Sequence, residues 1–430
     1  MTLRKMLAAC AVFISTMAFF EMSGIARQKT AAPPSATVLP VGTARFRADI
    51  RAVEGLLPTI SDRGAAQFFL AWAHAHLAEF QKALSLLKQC PLSEGFDPDG
   101  VARFQPLASN PEFRELVAQV HRRYPPAHNA RVVFTIQQND LFPEGLAADP
   151  ERHIFYMGSM HRKKIIVITA TGKVSDFVSA GSYDLMPVGG VHVDPSDHSV
   201  WAATDPGVKD RSEIVHFDAH GKLLERYAAP GPGPHDLNDL VLRGSHEIYV
   251  TDTYANQVYR FDRTTHKFST VSFPRPIFYP NGITVSDDGN SLYVADMLDV
   301  IRVDLRNTHG DNDRNNGRKN DARDVIVGRH YTLAGIDGLY WYRGGLVGVQ
   351  YGAGAYRVMQ WHLSADGLHV TSAEFLEYRT PLVKDPTTGA IVGANFYFIS
   401  NTGISNLDDN DKIVDPRKLE PIHISVVALK

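Results

Sequence analysis

Residues Tyr279–Asp296 read YPNGITVSDDGNSLYVAD: an Asn-Gly step, an alternating run ITV, a polar turn SDDGN and a second apolar run SLYVA. Alternation at period two between turn residues is the pattern of paired short strands. The same sentence recurs along the chain. Its other openings are Glu144-Gly-Leu-Ala-Ala-Asp, Gly189-Gly-Val-His-Val-Asp, Asn238-Asp-Leu-Val-Leu and Asp337-Gly-Leu-Tyr-Trp. Each is followed by a second strand (HIFYMGSM, HSVWAATD, HEIYVTDT, GLVGVQYG), and most units add a third (KIIVITA, EIVHFDA, QVYRFDR, RVMQWHL). A spacing of roughly 45 to 55 residues belongs to propeller blades. One antiparallel sheet leaves both faces open, so such units must stack around an axis. The fold expected is mainly β, a six-bladed β-propeller over residues 130–430, with seven blades as the competitor. Blade six should come from Ala394–Ile399 and the terminal HISVVAL, with Arg131–Ile136 pairing onto that last blade to close the ring.

In a ring of this kind the first residues of the innermost strands converge at one end of the channel. Glu144, Gly189, Asn238, Asn281 and Asp337 hold those positions, and four of the five carry a side-chain oxygen. Two carboxylates and two amide oxygens suit one hard divalent cation, with calcium preferred. The competing reading is that Asn-Gly and Asp-Gly are hairpin residues chosen for positive φ. Glu144, a poor turn former placed after Pro143, does not fit that reading.

Composition narrows the chemistry. Against 47 Asp and Glu stand 44 Lys and Arg, a formal charge of −3, so no basic excess exists to hold a nucleic-acid backbone. Two cysteines, Cys10 and Cys90, exclude a disulfide framework and a multi-thiolate zinc site. There is no Gly-x-Ser-x-Gly elbow, His-Glu-x-x-His pair or phosphate-cradling Gly-Lys-Ser/Thr loop. The stretch His309–Asp321 (HGDNDRNNGRKND) departs from a calcium-loop pattern and reads as a solvated insertion in blade four, and Asp408, Asp409 and Asp411 read as an exposed loop.

The motifs FPEGLAADP, LNDLVLRGSHEIYVTD, YPNGITVSDDGNSLYVAD and IDGLYW resemble the six-bladed calcium-dependent propellers that include gluconolactonase, regucalcin and paraoxonase, a likeness running from about Ala130 to the C-terminus. That resemblance implies that Glu144, Asn238, Asn281 and Asp337 are metal ligands, that Asp337 also serves as catalytic base or nucleophile, and that Asp239 marks a second metal site. It further implies calcium-dependent hydrolysis of a lactone or ester, with His192 and His235 as candidates for the substrate pocket. Two departures stand out. Val188 and Thr204 or Asp205 occupy the places of the paraoxonase His pair, and Asp236 stands where sugar-lactone members often carry Arg. The alternatives are a non-catalytic propeller that binds a ligand or protein around a structural metal, and an alkaloid-synthase-like propeller, which the retained oxygen set disfavours.

The N-terminal third reads differently. MTLRK, the apolar Met6–Phe20 and small residues up to Ala26 form an export signal over 1–26, shorter than a membrane span requires. The expected location is periplasmic or secreted, with a retained anchor as the alternative. Residues 27–42, rich in Ala, Pro, Ser and Thr, read as a flexible linker. From 43 to 125 the expectation is a helical domain: Ala65–Cys90, capped by Asp62 and stopped by Pro91, resembles a tetratricopeptide-type helix pair, and Pro111–Arg123, capped by Asn110, a closing helix. A small-molecule lactone or ester is the expected partner, with a protein contact through the helices as a further expectation and no nucleic acid.

Overall fold

The computed structural model describes residues 41–204, 212–306, 321–328, 331–407 and 412–430. The signal and most of the linker, Cys10, Asp205, residues 309–320 of the insertion and the triad Asp408, Asp409 and Asp411 lie outside the described residues.

Six antiparallel sheets follow one another along the chain. Blade one comprises Pro143–Asp149, Ile154–Ser159, Lys164–Thr169 and Val174–Val178; blade two opens at Val188–Val193, blade three at Leu237–Arg243, blade four at Ile283–Val285, blade five at Ile336–Tyr342 and blade six at Gly389–Val392. Six blades, and not seven, complete the ring. Arg131–Ile136 pairs with Ile422–Ala428 as the outermost strand of blade six, so the two ends of the propeller are stitched together by hydrogen bonds, as the sequence suggested. The inner strand of blade six, Gly389–Val392, escaped the sequence reading, because GAIV is short and lacks a polar residue before its glycine other than Thr388.

Each pair of neighbouring blades encloses its own apolar core. Leu146, Phe155, Ile399 and Ile424 fill the space between blades six and one, and Trp361, Leu346, Val300 and Leu339 the space between four and five. Burying a side chain of this size contributes about 1.5–3 kcal/mol. No blade can bury its own faces without its neighbours, which is why the ring forms as a whole.

Ahead of the ring lie helices α1 (Val41–Leu56), α2 (Arg63–His76), α3 (Phe80–Leu87) and α4 (Pro111–Arg123). Asp62 caps α2 by accepting from Ala65 N–H at 2.7 Å, and Asn110 caps α4 by accepting from Glu112 N–H at 2.8 Å. The helical run from Ala65 to Cys90 is broken at Leu77–Glu79, where Ala78 turns left-handed at φ 60, giving two helices that pack together. Helix α1 reaches back into the stretch read as linker; its signal was Phe46, Ile50 and Val53 on one face, all buried. Cys90 is a buried, unpaired thiol.

The helices form a layer on one end of the propeller. Their core is continuous with Phe278, Tyr279, Met297, Leu298, Ala334 and Ala353, residues that flank the starts of the inner strands of blades four and five and the ends of their second strands. Three carboxyl groups crowd this interface: Asp62 and Glu94 from the helical layer and Asp299 from blade four. Burial, then the charge of Asp62, pushes Glu94 up to about 8, and Asp299 is likewise raised by burial and by its acidic neighbours. Since the folded value of Glu94 lies above its ordinary 4.5, the proton it retains favours the folded state at low pH. That contribution is lost as pH rises through about 8. Thermal melting from pH 5 to 9 should therefore show a falling midpoint, and Glu94→Gln should flatten the decline.

Candidate functional site

Four inner strands share a local irregularity. Between Pro143 and Leu146, Val188 and Val191, Leu237 and Leu240, and Ile336 and Leu339, the inner strand carries one residue more than its partner. Such a bulge re-aims side chains and ends regular pairing. It contains Glu144-Gly145, Gly189-Gly190, Asn238-Asp239 and Asp337-Gly338. In blade four, Asn281 and Gly282 pair with Ala295 just ahead of the strand.

The glycines in these bulges are set by proximity. A Cβ on Gly145 would lie 2.2 Å from the Gly189 carbonyl oxygen, and one on Gly282 would lie 2.5 Å from the Asp337 carbonyl oxygen. On Gly338 it would lie 3.0 Å from Thr388 Cα. Gly145, Gly190, Gly282 and Gly338 are all absent from the positive-φ residues. The hairpin reading of Asn281-Gly282 and Asp337-Gly338 is thus replaced by another: neighbouring inner strands touch at the axis, and only glycine leaves room. Blade six closes the ring, with the Thr387 and Thr388 hydroxyls both donating to the Glu144 carbonyl oxygen.

This contact brings acidic groups together. Burial comes first among the causes that hold Asp337 well above the usual carboxylate range, followed by the charge of Glu144, and Asp239 adds to it; a hydrogen bond from Asn281 acts the other way. Burial, with Glu144 as the charged contributor, pushes Asp239 up to about 7. Every charge acting on these two groups is negative. Asn281 Oδ1 is buried without a hydrogen-bond partner, an arrangement that ordinarily costs about 1–3 kcal/mol. Repelling carboxylates beside an orphaned amide oxygen are the donor set that a hard cation satisfies. Among the described residues no three His, Cys, Asp or Glu side chains gather closely enough to share a metal ion, so a cation here depends on Asn oxygens beside the carboxylates.

The remaining sequence candidates fall in different places. Asn238 is half-buried in the blade-three bulge, its carbonyl oxygen 2.9 Å from where a Gly189 Cβ would stand. Asp239 is engaged structurally: its carboxylate accepts from Leu240 N–H at 2.8 Å and also from Ile283 N–H, joining blade three to blade four. His235 is fixed by Asp252, with Nδ1 at 2.6 Å from Oδ2, while Nε2 faces the Gly231 carbonyl oxygen at 3.4 Å. Both ring nitrogens thereby have a partner within blade three and the loop before it. His192 is half-buried on the inner strand of blade two, and burial alone pushes its imidazole down to about 4, with no carboxylate offsetting it.

The sequence reading overlooked Tyr340 and the residues that steer the bulges. The Tyr340 hydroxyl accepts from Gly389 N–H at 2.7 Å, and burial together with Asp239 and Asp337 pushes the phenol up. Two residues before Glu144, Asn281 and Asp337 stand Phe142, Tyr279 and Gly335, all left-handed at φ 47, 52 and 59. For an aromatic residue that conformation costs roughly 1–2 kcal/mol. The signal was present as the tripeptides Phe-Pro-Glu and Tyr-Pro-Asn.

No protein-family model matches the chain, and no curated protein matches it. Similar solved structures include a gluconolactonase of Xanthomonas campestris (15% identity, 71% of this chain and 96% of that one, TM-score 0.47). A regucalcin of Agrobacterium tumefaciens is similar at 17% identity, over 70% and 96%, with TM-score 0.47. A virginiamycin B lyase of Staphylococcus aureus stands at 16% identity, over 70% and 99%, with TM-score 0.47. The TM-scores lie below 0.5, and the blade count rests on this chain's own strand pairing.

Close approach at the axis gives a direct test. Gly282→Ala should lower the free energy of unfolding by about 1–3 kcal/mol in a denaturant titration, because the obstructing atoms are backbone. Gly55→Ala, on the open face of α1, should raise it by about 0.5–1 kcal/mol.

Proposed function

We propose that the protein is a calcium-dependent hydrolase of lactones or related esters, with its site at the mouth of the propeller channel. The observation that carries this reading is the buried Asp337, raised by burial and by the charges of Glu144 and Asp239 and hydrogen-bonded to Asn281, whose Oδ1 has no hydrogen-bond partner. Glu144, Asn238, Asn281 and Asp337 would hold the cation. When bound, it supplies a Lewis acid that polarises the substrate carbonyl and steadies the developing oxyanion.

The chain's own residues supply the rest. Asp337 is the group we assign to take a proton from water or to attack the carbonyl directly; a bound cation would offset the burial and like charges that hold its carboxyl high, leaving it ionised for either role. Asn281 orients it through the hydrogen bond between their side chains. Asp239 braces the junction of blades three and four, and a second ion at that residue is a subsidiary part of the proposal.

The export reading, which rests on residues 1–26, makes a periplasmic or secreted enzyme the expectation. Among the described residues no helix is long and apolar enough to cross a membrane. A small lactone or ester is the proposed partner, with protein contact through the helical layer as a further one.

A panel of lactones, aryl esters and phosphotriesters, assayed with calcium and with chelator, tests the proposal. Turnover should require calcium, and Asp337→Asn should cut it by about 10²–10⁴-fold, with Glu144→Gln also strongly reduced. Hydrolysis that is indifferent to chelator and to both substitutions contradicts the proposal. Calcium-raised thermal stability without turnover of any substrate would favour the ligand-binding propeller instead.

A further inference from the structure

Tyr279 lies two residues before Asn281 and is gripped from three directions. Its backbone N–H donates to Asn256 Oδ1 of blade three at 2.8 Å. The hydroxyl donates to the Asp49 carboxylate of α1, and the Arg45 guanidinium lies over the ring at 5.0 Å. Phe69 of α2 packs against the same ring, with centroids 6.5 Å apart. Tyr279 is 3% exposed and Asp49 is 8% exposed, so the hydroxyl and the carboxylate meet away from water. Left-handed backbone at an aromatic residue persists only where its surroundings impose it, and here the imposing groups come largely from the helical layer.

A parallel latch serves the other ligand strand. Thr332, fully buried and five residues before Asp337, donates its hydroxyl to Asp62 Oδ2 at 2.7 Å and accepts from Ala334 N–H at 3.1 Å. Asp62 is also the cap of α2, so one carboxylate starts a helix and fixes the approach to blade five.

We infer that Tyr279 is a positioning residue for Asn281, and that the helical layer, through Asp49 on Tyr279 and Asp62 on Thr332, sets the geometry of the channel-mouth site. The inference rests on the cation reading proposed above. It makes the helices a working part of the site, distinct from an appended docking module. Asn281 and Asp337 are bonded to each other, so a shift in either approach disturbs both.

Isothermal titration of the full chain with calcium, together with melting curves of the calcium-free protein, tests this. Tyr279→Phe and Asp49→Leu should each weaken calcium binding by about 10- to 100-fold, the range for residues that orient metal ligands. Asp49→Asn keeps an acceptor for the hydroxyl and should bind within about twofold of the wild type, since the orienting bond is retained. Tyr378→Phe provides the control: its hydroxyl reaches Asp97 at 2.5 Å across the same interface, in a buried setting away from the ligand strands. It should lower the melting temperature while leaving affinity unchanged. If Asp49→Leu does not fold, Tyr279→Phe, which removes only an oxygen, decides the matter. Wild-type affinity in Tyr279→Phe overturns the inference while leaving the cation reading intact. An equal loss in Tyr378→Phe also overturns it, by showing general loosening. A wild type that takes up no calcium overturns the inference and the cation reading together.

Discussion

The inner strands of adjacent blades approach so closely at the axis that a single Cβ would strike backbone. Gly145 against Gly189, Gly282 against Asp337 and Gly338 against Thr388 are the points of contact. Everything distinctive about the site follows from that proximity. Glu144 and Asp337 stand next to two of those glycines, and their like charges, with that of Asp239, act on one another. Their repulsion is a cost the fold retains, because the apolar cores between blades leave the strands nowhere else to go.

Repetition made the ring legible from sequence. Five openings in register, each followed by one or two further strands, specify blades, and the place of Arg131–Ile136 just ahead of blade one marks it as the strand that closes the ring. Caps at Asp62 and Asn110 were equally legible, since a capping residue announces itself locally. What stayed hidden was long-range. Whether the glycine of Asn281-Gly282 serves a turn or a close contact depends on a neighbouring blade, and the local dipeptide is the same in both cases. Likewise nothing near His235 in the sequence announced that Asp252, 17 residues away, holds its ring. Helix α1 hid for another reason: its arginines and acidic residues mask a narrow apolar stripe of three residues.

The two layers of the molecule are linked by groups that do two things at once. Asp62 caps a helix and holds Thr332; Asp97 accepts from Tyr378 while its backbone pairs with Ala353 and Ala355. The Asp62–Thr332 contact falls on the loop that delivers the blade-five position, whereas the Asp97–Tyr378 contact lies farther out on the same blade. The blade-one position is steered by Phe142, which packs with Met160 and Leu407 inside the propeller. The site is therefore supported unevenly, with part of its framework belonging to the ring and part to the helices.

A crystal structure of the full chain grown with calcium, with the ion located by anomalous scattering, tests the central claim most directly. The account expects one ion at the channel mouth, with oxygens of Glu144, Asn238, Asn281 and Asp337 at about 2.3–2.6 Å from it. A structure in which those four oxygens stand too far apart to surround a single ion, at saturating calcium, would contradict it.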